Sequence, residues 1–266
     1  MKYSIITVNY NNKNGLRKTI ESVIHQSFRD FEYIVIDGGS TDGSADVLKE
    51  YDAQIDYWVS EPDKGIYNAM NKGIAQAKGE YLNFMNSGDC FYNANVLKQV
   101  SECGYTTDMI IGKDYHFDPT SQRGFATIHP PRLSMLTFFI QTLPHQSTFF
   151  KRQIFDKIVY DENLKMVSDL KFYVQKICVD ACSVRFINHI ICLREPDGIS
   201  NIYSEVGKDE HKYVMSCYLP KGALLDYETL HLLDNSTIYK FFSLCQKAKT
   251  RKLLIYCIKV INRLFI

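Results

Sequence analysis

Three short apolar runs, each broken off by a cluster of small polar residues, set the strongest limit on how this 266-residue chain can fold. Ser4 to Val8 ends in Asn9-Tyr10-Asn11-Asn12. Phe31 to Ile36 ends in Asp37-Gly38-Gly39-Ser40-Thr41-Asp42-Gly43, and Tyr81 to Met85 ends in Asn86-Ser87-Gly88-Asp89. The runs are dense in β-branched and aromatic residues, the composition of buried strands. Between them the period changes to that of a helix. Leu16, Ile20, Val23, Ile24 and Ser27 mark one face, with an Asn of the preceding loop as its cap. Ile66, Ala69, Met70, Gly73, Ile74 and Ala77 mark another, with Gly79 as its stop. A helix over about Ser44 to Tyr51 and a strand over Ile55 to Ser60 complete the alternation. Strands alternating with helices predict an α/β fold with a mainly parallel sheet and right-handed crossovers.

Further along, the sequence predicts a helix at Ala94 to Glu102 and strands at Met109 to Gly112, Thr148 to Phe150 and Ser183 to Leu193. A helix is expected around Leu170 to Ile177 with Ser168 or Asp169 near its start. Asp118 to Leu133 reads as an irregular loop, and Glu195 to Ser200 as a turn built on Pro196 and Gly198. From about Thr237 apolar residues at helical spacing alternate with lysines and arginines. That pattern suits either a helix lying in a membrane interface or one docked on the domain with a solvated basic face.

Charge is unevenly placed. Asn235 to Ile266 holds seven basic residues and no acidic one, leaving the preceding part with 24 basic against 30 acidic, a net −6. The body therefore has no positive excess for nucleic acid, whereas the tail suits an anionic surface. The eight cysteines are scattered without a Cys-x-x-Cys pair, which argues against zinc and dithiol redox chemistry and for reduced, buried thiols. No apolar run reaches bilayer-spanning length, and Met1-Lys2-Tyr3 runs straight into the first strand. These features predict a cytoplasmic protein.

In an open α/β sheet the carboxyl ends of the strands form the ligand-binding rim, and here three of them carry Asn9, Asp37 and Asp89. Gly88 permits a positive φ in the last turn. The Asp89 carboxylate suits a hard divalent cation bridging to a diphosphate, although a plain strand-end turn capped by Asp reads the same residues.

Taken together, Ser4-Ile5-Ile6-Thr7-Val8-Asn9-Tyr10-Asn11, Ile36 to Gly43, Asp63-Lys64-Gly65-Ile66-Tyr67-Asn68-Ala69-Met70-Asn71-Lys72-Gly73 and Asn86-Ser87-Gly88-Asp89 resemble the family 2 glycosyltransferases of the GT-A fold, over roughly the first hundred residues. More thinly, His145 to Phe150 and Val167-Ser168-Asp169-Leu170 resemble acceptor-side segments of bacterial polysaccharide members. The resemblance implies a Rossmann-like three-layer sandwich around a mixed, mainly parallel sheet. It places a glycosyltransferase domain at 1–230, with a nucleotide-binding half at about 1–115 and an acceptor-binding half at about 116–230. A basic amphipathic helical tail would occupy 231–266.

The resemblance also implies roles. Asn9, Tyr10 and the backbone around Thr7 would line the nucleotide pocket, with the Tyr10 ring as a flat face for a base. Asp37 would accept the imide N–H of a uracil or thymine, Gly38 standing where the commoner motif has a second aspartate. Asp63 and Asn71 would complete the nucleotide and sugar surroundings, although a turn residue and a tolerated polar helix position are the plainer readings of the two. Asn86, Ser87 and Gly88 occupy the Asp-x-Asp position with Asn86 replacing the leading acid, so that Asp89 alone would bind Mg²⁺ or Mn²⁺ arriving with the nucleotide. Asp169 would be the general base of an inverting transfer, or else a helix N-cap. His145 and Gln146 would position the acceptor or a phosphate.

The activity implied is metal-dependent inverting transfer of a sugar from a nucleotide diphosphate, UDP in first place, to a hydroxyl of a glycan or polyprenyl-linked glycan. The tail would make a peripheral contact with the inner face of the cell membrane. Two other classes share some of the pattern. A non-catalytic nucleotide-sugar-binding or scaffolding protein would tolerate the weakened metal motif but has no need of three aligned carboxylates. A dinucleotide oxidoreductase would need a Gly-x-Gly-x-x-Gly after the first strand, which is absent.

Overall fold

A strand covered on both faces reads as a continuous apolar run, and the central strands do so because helices lie on each side of the sheet. The computed structural model describes residues 1–118, 123–194 and 205–235. β1 (Tyr3–Asn9) is buried at every position, and β2 (Phe31–Asp37) and β4 (Tyr81–Phe84) nearly so. β1 lies between the other two, parallel to both, with Asn9 opposite Asp37 and Ile6 opposite Ile34 and Phe84. β3 (Tyr57–Ser60) extends the parallel part beyond β2.

The second half of the sheet changes sense. β8 (Thr148–Lys151) pairs antiparallel with β4 and with β6 (Met109–Asp118), while β9 (Val184–Arg194) runs parallel to β6. The two-residue β5 (Cys90–Phe91) closes that flank, and β7 (Arg123–Ala126) pairs with β6. The order is β3-β2-β1-β4-β8-β6-β9-β5, a mixed sheet.

On one face α1 (Lys13–Ile24), α2 (Ser44–Glu50) and α4 (Val96–Glu102) bring Leu16, Ile20, Val23, Val47, Leu48, Val96 and Val100 against Tyr3, Ile5, Tyr33 and Tyr81. α1 begins as expected from an Asn cap, Asn12 Oδ1 accepting the Gly15 N–H at 3.0 Å. On the other face lie α3 (Ile66–Gln76), which packs against Ile6, and α6 (Ser168–Tyr173), which runs on as a π-helical turn through Val179. Here Phe84, Phe150, Phe155, Tyr160 and Phe172 form a cluster of edge-on and stacked rings, Phe155 and Phe172 with centroids 4.6 Å apart. Three layers result, with β4 and β8 in the middle and alternate side chains feeding the two cores.

Several expectations need adjusting. α3 ends at Gln76 with Ala77, not Gly79, as its C-cap. The Gly79 N–H instead donates to Ser4 Oγ and Glu32 Oε1. The stretch expected to be an irregular loop contains β7, because the backbone of 123–126 finds partners on the extended β6 even though its composition is polar. α5 (Met135–Ile140), with Ser134 as a capping-box residue, α7 (Glu205–Tyr218) and α8 (Lys221–Asn235) had no counterpart in the expected elements. The turn expected at Glu195 to Ser200 and the tail from Thr237 lie outside the described residues.

The chain divides into two compact units, Met1–Val214 and Met215–Ile266. Within the first, α7 is tied down by Glu210, which accepts the backbone N–H groups of Lys165 and Met166 at 2.7 and 2.8 Å. No helix among the described residues is long and apolar enough to cross a membrane.

The carboxyl ends of β1 and β2 are locked by one carboxylate. Asp37 is fully buried; its Oδ1 accepts from Asn9 Nδ2 at 2.7 Å and Ser40 Oγ at 2.6 Å, and its Oδ2 from the Ser40 N–H at 3.0 Å and Ser60 Oγ at 2.6 Å. Burial by itself would raise its pKa, but the hydrogen bonds from Ser40, Ser60 and Asn9 outweigh it and hold the carboxyl below its ordinary value. A folded pKa below the unfolded one lends stability that is complete above the unfolded value of about 3.9 and is lost as pH falls through the folded value. Asp37→Asn should therefore melt lower than the parent at neutral pH, since its amide turns N–H groups toward donors. Between about pH 5 and about pH 3 it should then lose less further Tm than the parent, as thermal melts across that acid range would show.

Candidate active site

Two groups of polar side chains stand at the strand ends. At the β1–β2 end, Asp63 fills a gap that Gly38 leaves. Its Oδ2 lies 2.6 Å from where a Gly38 Cβ would sit, and the Tyr10 ring lies 3.2 Å from the same point. Asp63 Oδ1 accepts the Gly65 N–H at 2.9 Å, and Tyr10 is 68% exposed. A carboxylate and an open aromatic face therefore meet at the end of β2. Asp37, expected to present its carboxylate to a base, is instead enclosed, with both oxygens taken by neighbouring donors. Thr7 is likewise interior: its Oγ1 donates to the Met85 carbonyl at 2.7 Å and lies 3.0 Å from the Tyr33 hydroxyl. Asn9 spends its Nδ2 on Asp37, while its Oδ1 is buried without a hydrogen-bond partner.

At the β4 end the turn Asn86-Ser87-Gly88-Asp89 is laced to α1. Gly88 has φ +105°, a region that disfavours any residue with a Cβ, and donates its N–H to Thr19 Oγ1 at 3.0 Å. The Ser87 N–H bonds the Val8 carbonyl and its Oγ the Asn12 carbonyl. Asp89 is presented at the end of this turn, its Oδ2 accepting from Gln146 Nε2 at 3.0 Å. The preceding residue, His145, has Nε2 3.1 Å from Asn86 Nδ2 and Nδ1 3.3 Å from Asp169 Oδ2. Asp169 Oδ1 accepts from the Tyr67 hydroxyl at 3.1 Å and from the Leu170 N–H at 2.8 Å. Burial, and next the charge of Asp169, raise the Tyr67 hydroxyl well above its ordinary pKa, so it remains a donor.

The structure thus brings Asn86, Asp89, His145, Gln146 and Asp169 into one connected group, and Asn9, Tyr10, Asp37 and Asp63 into a second on the same rim. Asn71 belongs to neither. Its amide donates to the Tyr160 carbonyl and to Glu162 Oε1, each at 2.9 Å, and accepts the Tyr160 N–H, so it holds the segment leading to Asp169. His145 and Gln146, expected at the acceptor, spend their polar atoms on the two site carboxylates and Asn86. Asp169 does not cap its helix; the N-cap is Val167, and the Ser168 hydroxyl accepts the Asp161 N–H.

Four contributors escaped the sequence reading. Tyr67 lay inside a motif but carried no expected role. Asp114, on β6, is fully buried, accepts from Ser147 Oγ and lies 3.7 Å from an Arg194 Nη1. Burial pushes its carboxyl pKa up, with Ser147 and then Arg194 pulling against it. Burial, and next the neighbouring Arg194, lower the pKa of His116. Only a register linking β6 to β9, which places Asp114 beside Cys192 and His116 beside Arg194, reveals this group.

Among the described residues no three His, Cys, Asp or Glu side chains gather as metal ligands. The Asn86–Asp89 turn offers one carboxylate and one amide oxygen, Asn86 Oδ1, which is buried without a partner. Such a sparse, all-oxygen set fits a hard cation that brings most of its ligands with it and does not fit a dedicated protein cage.

Residues 4–159 match the model of the family described as Glycosyl transferase family 2. The chain is 33% identical over 213 residues to an uncharacterized glycosyltransferase of Mycobacterium tuberculosis, covering 74% of this chain and 76% of that one. It is 27% identical over 207 residues to a PGL/p-HBAD biosynthesis glycosyltransferase of Mycobacterium bovis BCG, covering 75% and 79%. Among solved structures, S. aureus TarS 1-349 in complex with UDP-GlcNAc matches with TM-score 0.67 at 18% identity, over 94% of this chain and 78% of that one. A mannosyltransferase of Pyrobaculum calidifontis in complex with GDP-Man and Mn²⁺ matches with TM-score 0.57 at 12% identity, over 92% and 84%. At these identities the structural likeness establishes the fold, the mixed α/β GT-A architecture. With well over half of its length matched by the family model, the chain belongs to glycosyl transferase family 2 and is a glycosyltransferase.

Proposed function

We propose that the protein moves a sugar from a uridine diphosphate donor to a hydroxyl of a glycan or lipid-linked glycan acceptor, with inversion at the anomeric carbon. The observation that carries this reading is that His145 and Gln146, adjacent in the chain, reach Asp169 and Asp89 respectively, so a base and an anchor for the diphosphate belong to one connected group. A TarS structure holding UDP-GlcNAc and a relative named for PGL/p-HBAD biosynthesis support the donor and acceptor classes.

In this reading the nucleotide base stacks on the exposed Tyr10 ring, and its imide N–H donates to Asp63, which stands in the space a residue-38 side chain would occupy. Asp89 and Asn86 would hold a divalent cation; when bound, that ion compensates the charge of the departing diphosphate. Asp169 takes the acceptor proton. Three of its four lone-pair sites are already satisfied, by Tyr67, the Leu170 N–H and His145, which fixes the carboxylate while leaving Oδ2 room for one more hydrogen bond. An acceptor hydroxyl there would lose its proton as positive charge develops at the anomeric carbon. The basic stretch from 235 to 266 supports a contact with an anionic membrane carrying the acceptor.

Asp169→Asn should bind UDP with near-parental affinity by calorimetry and lose about 10² to 10⁴-fold in turnover; retained turnover removes it as the base. Asp89→Ala should abolish both transfer and the Mn²⁺-dependent gain in UDP affinity, and an unchanged Mn²⁺ effect would refute its role. Asp63→Asn should weaken UDP binding by about tenfold or more, the loss expected when a hydrogen bond to a charged group goes. Equal loss for ADP would show that it does not read the base. A chain lacking residues 236–266 should no longer sediment with anionic phosphatidylglycerol vesicles, whereas the full chain should, and less so at high salt.

A further inference from the structure

We propose that His145 is a positioning residue for Asp169: its ring bridges Asn86 and Asp169, and its Nδ1–H fixes the carboxylate that accepts the proton. This rests on the reading of Asp169 as the base and goes beyond it by assigning the group that aims that base.

The chemistry of the hydrogen bonds sets the direction at Asp169. An ionised carboxylate only accepts, so the His145 Nδ1 that faces Asp169 Oδ2 at 3.3 Å carries a proton and donates to it. On the other side of the ring Nε2 lies 3.1 Å from Asn86 Nδ2, so the imidazole is held at both nitrogens. Both His145 and Asp169 are largely shielded, with side chains 15% and 13% exposed, so water does not substitute readily for either bond.

The ring can act as a fixed strut because its backbone is held on four sides. The Pro144 carbonyl accepts from Thr148 Oγ1 at 2.7 Å, and the His145 carbonyl from the Thr148 N–H at 3.2 Å. The Gln146 carbonyl accepts from Asn83 Nδ2 and the Ser147 carbonyl from the Gly112 N–H, each at 2.8 Å. Asn83 projects from β4 itself, the strand whose end carries Asn86 and Asp89. The imidazole is therefore referred to β4 twice: its ring through Asn86, and its backbone through the turn that Asn83 pins. The base and the diphosphate anchor are held in one frame although 80 residues separate them in the chain.

A positioning role makes predictions that a packing role does not. In the full-length protein carrying ¹⁵N-labelled histidine, the His145 ring should show a protonated Nδ1 in long-range ¹H–¹⁵N spectra, and this should weaken in Asp169→Asn. A ring with a bare Nδ1 in the parent would overturn the assignment. Kinetically, with UDP-GlcNAc, Mn²⁺ and water as acceptor, His145→Ala should lose about a hundredfold in kcat, the scale of a misaimed reacting group, with KM and UDP affinity within about twofold of the parent. His145→Asn places an amide N–H where Nδ1–H was and should recover most of kcat. His145→Gln, whose amide reaches the Nε2 side, should recover none. Equal recovery by both, or none by either with unchanged thermal stability, overturns the proposal. Asp169→Asn serves as the control for the underlying reading. If it is inactive while His145→Ala turns over normally, only the positioning role fails. If it turns over normally, the base assignment itself is wrong.

Discussion

Everything at the site depends on the register of β1 between β2 and β4. Parallel pairing on both sides satisfies the β1 backbone completely and sets Asn9 against Asp37 at one end of the sheet. The ladder continues past β4 through the Met85 N–H to the Ile6 carbonyl and the Ser87 N–H to the Val8 carbonyl, so the Asn86–Asp89 turn is an extension of the sheet and not a free loop. A slip of one residue would turn Ile5, Tyr33 and Tyr81 away from their helices and move every strand-end side chain to the wrong face. Tyr3, Ile5 and Ile6, none more than 1% exposed, fasten the register from both layers.

Given that frame, the site is a problem in placing negative charge. Asp37, Asp89, Asp114 and Asp169 all lie close to the carboxyl rim, where uncompensated carboxylates would repel one another and any diphosphate. The protein answers each differently. Asp37 stays a carboxylate, stabilised by four neutral donors that tie together the ends of β1 and β2. Asp114 is buried against Ser147, with the Arg194 guanidinium beside it. Asp89 and Asp169 accept from Gln146, Tyr67 and His145, neutral donors that orient a carboxylate without discharging it. On the reading proposed above, these two carboxylates are the ones the chemistry uses, one toward a cation and one toward a hydroxyl proton.

Sequence patterning revealed those parts of the fold that local physics decides. α1 and α3 were legible because their apolar residues recur at helical spacing, and the strands because burial on both faces leaves them apolar throughout. β7, the antiparallel insertion of β8 and the two-residue β5 were not legible or only partly so, since each owes its existence to a partner distant in the chain. The π-helical turn after Tyr173 follows a smoothly apolar sequence that α and π geometry share. At the site, residue types in polar turns singled out Asn86, Asp89 and Asp169, which the structure gathers into one hydrogen-bonded group. The hydrogen bonds that occupy the Asp37, Thr7 and Asn71 side chains left no mark on composition, so the part these side chains play in the fold was not legible.

Gly38 and Asp63 show most clearly why a motif read along the chain and a site in space part company. A glycine in place of a second aspartate looks like a lost acid. In the structure the Cβ it lacks is what admits the Asp63 carboxylate, with Oδ2 2.6 Å from the vacated position and the Tyr10 ring beside it. Restoring a side chain at 38 would collide with both, so the two sequence features are one steric choice: a carboxylate reaches that point from residue 38 or from residue 63, not from both. The position of negative charge relative to an open aromatic face is then what a ligand meets, whichever residue supplies it. The same holds on the β4 side of the rim, where Asp169 on one helix, Asp89 on a distant turn and His145 and Gln146 between them form a unit that sequence order does not display.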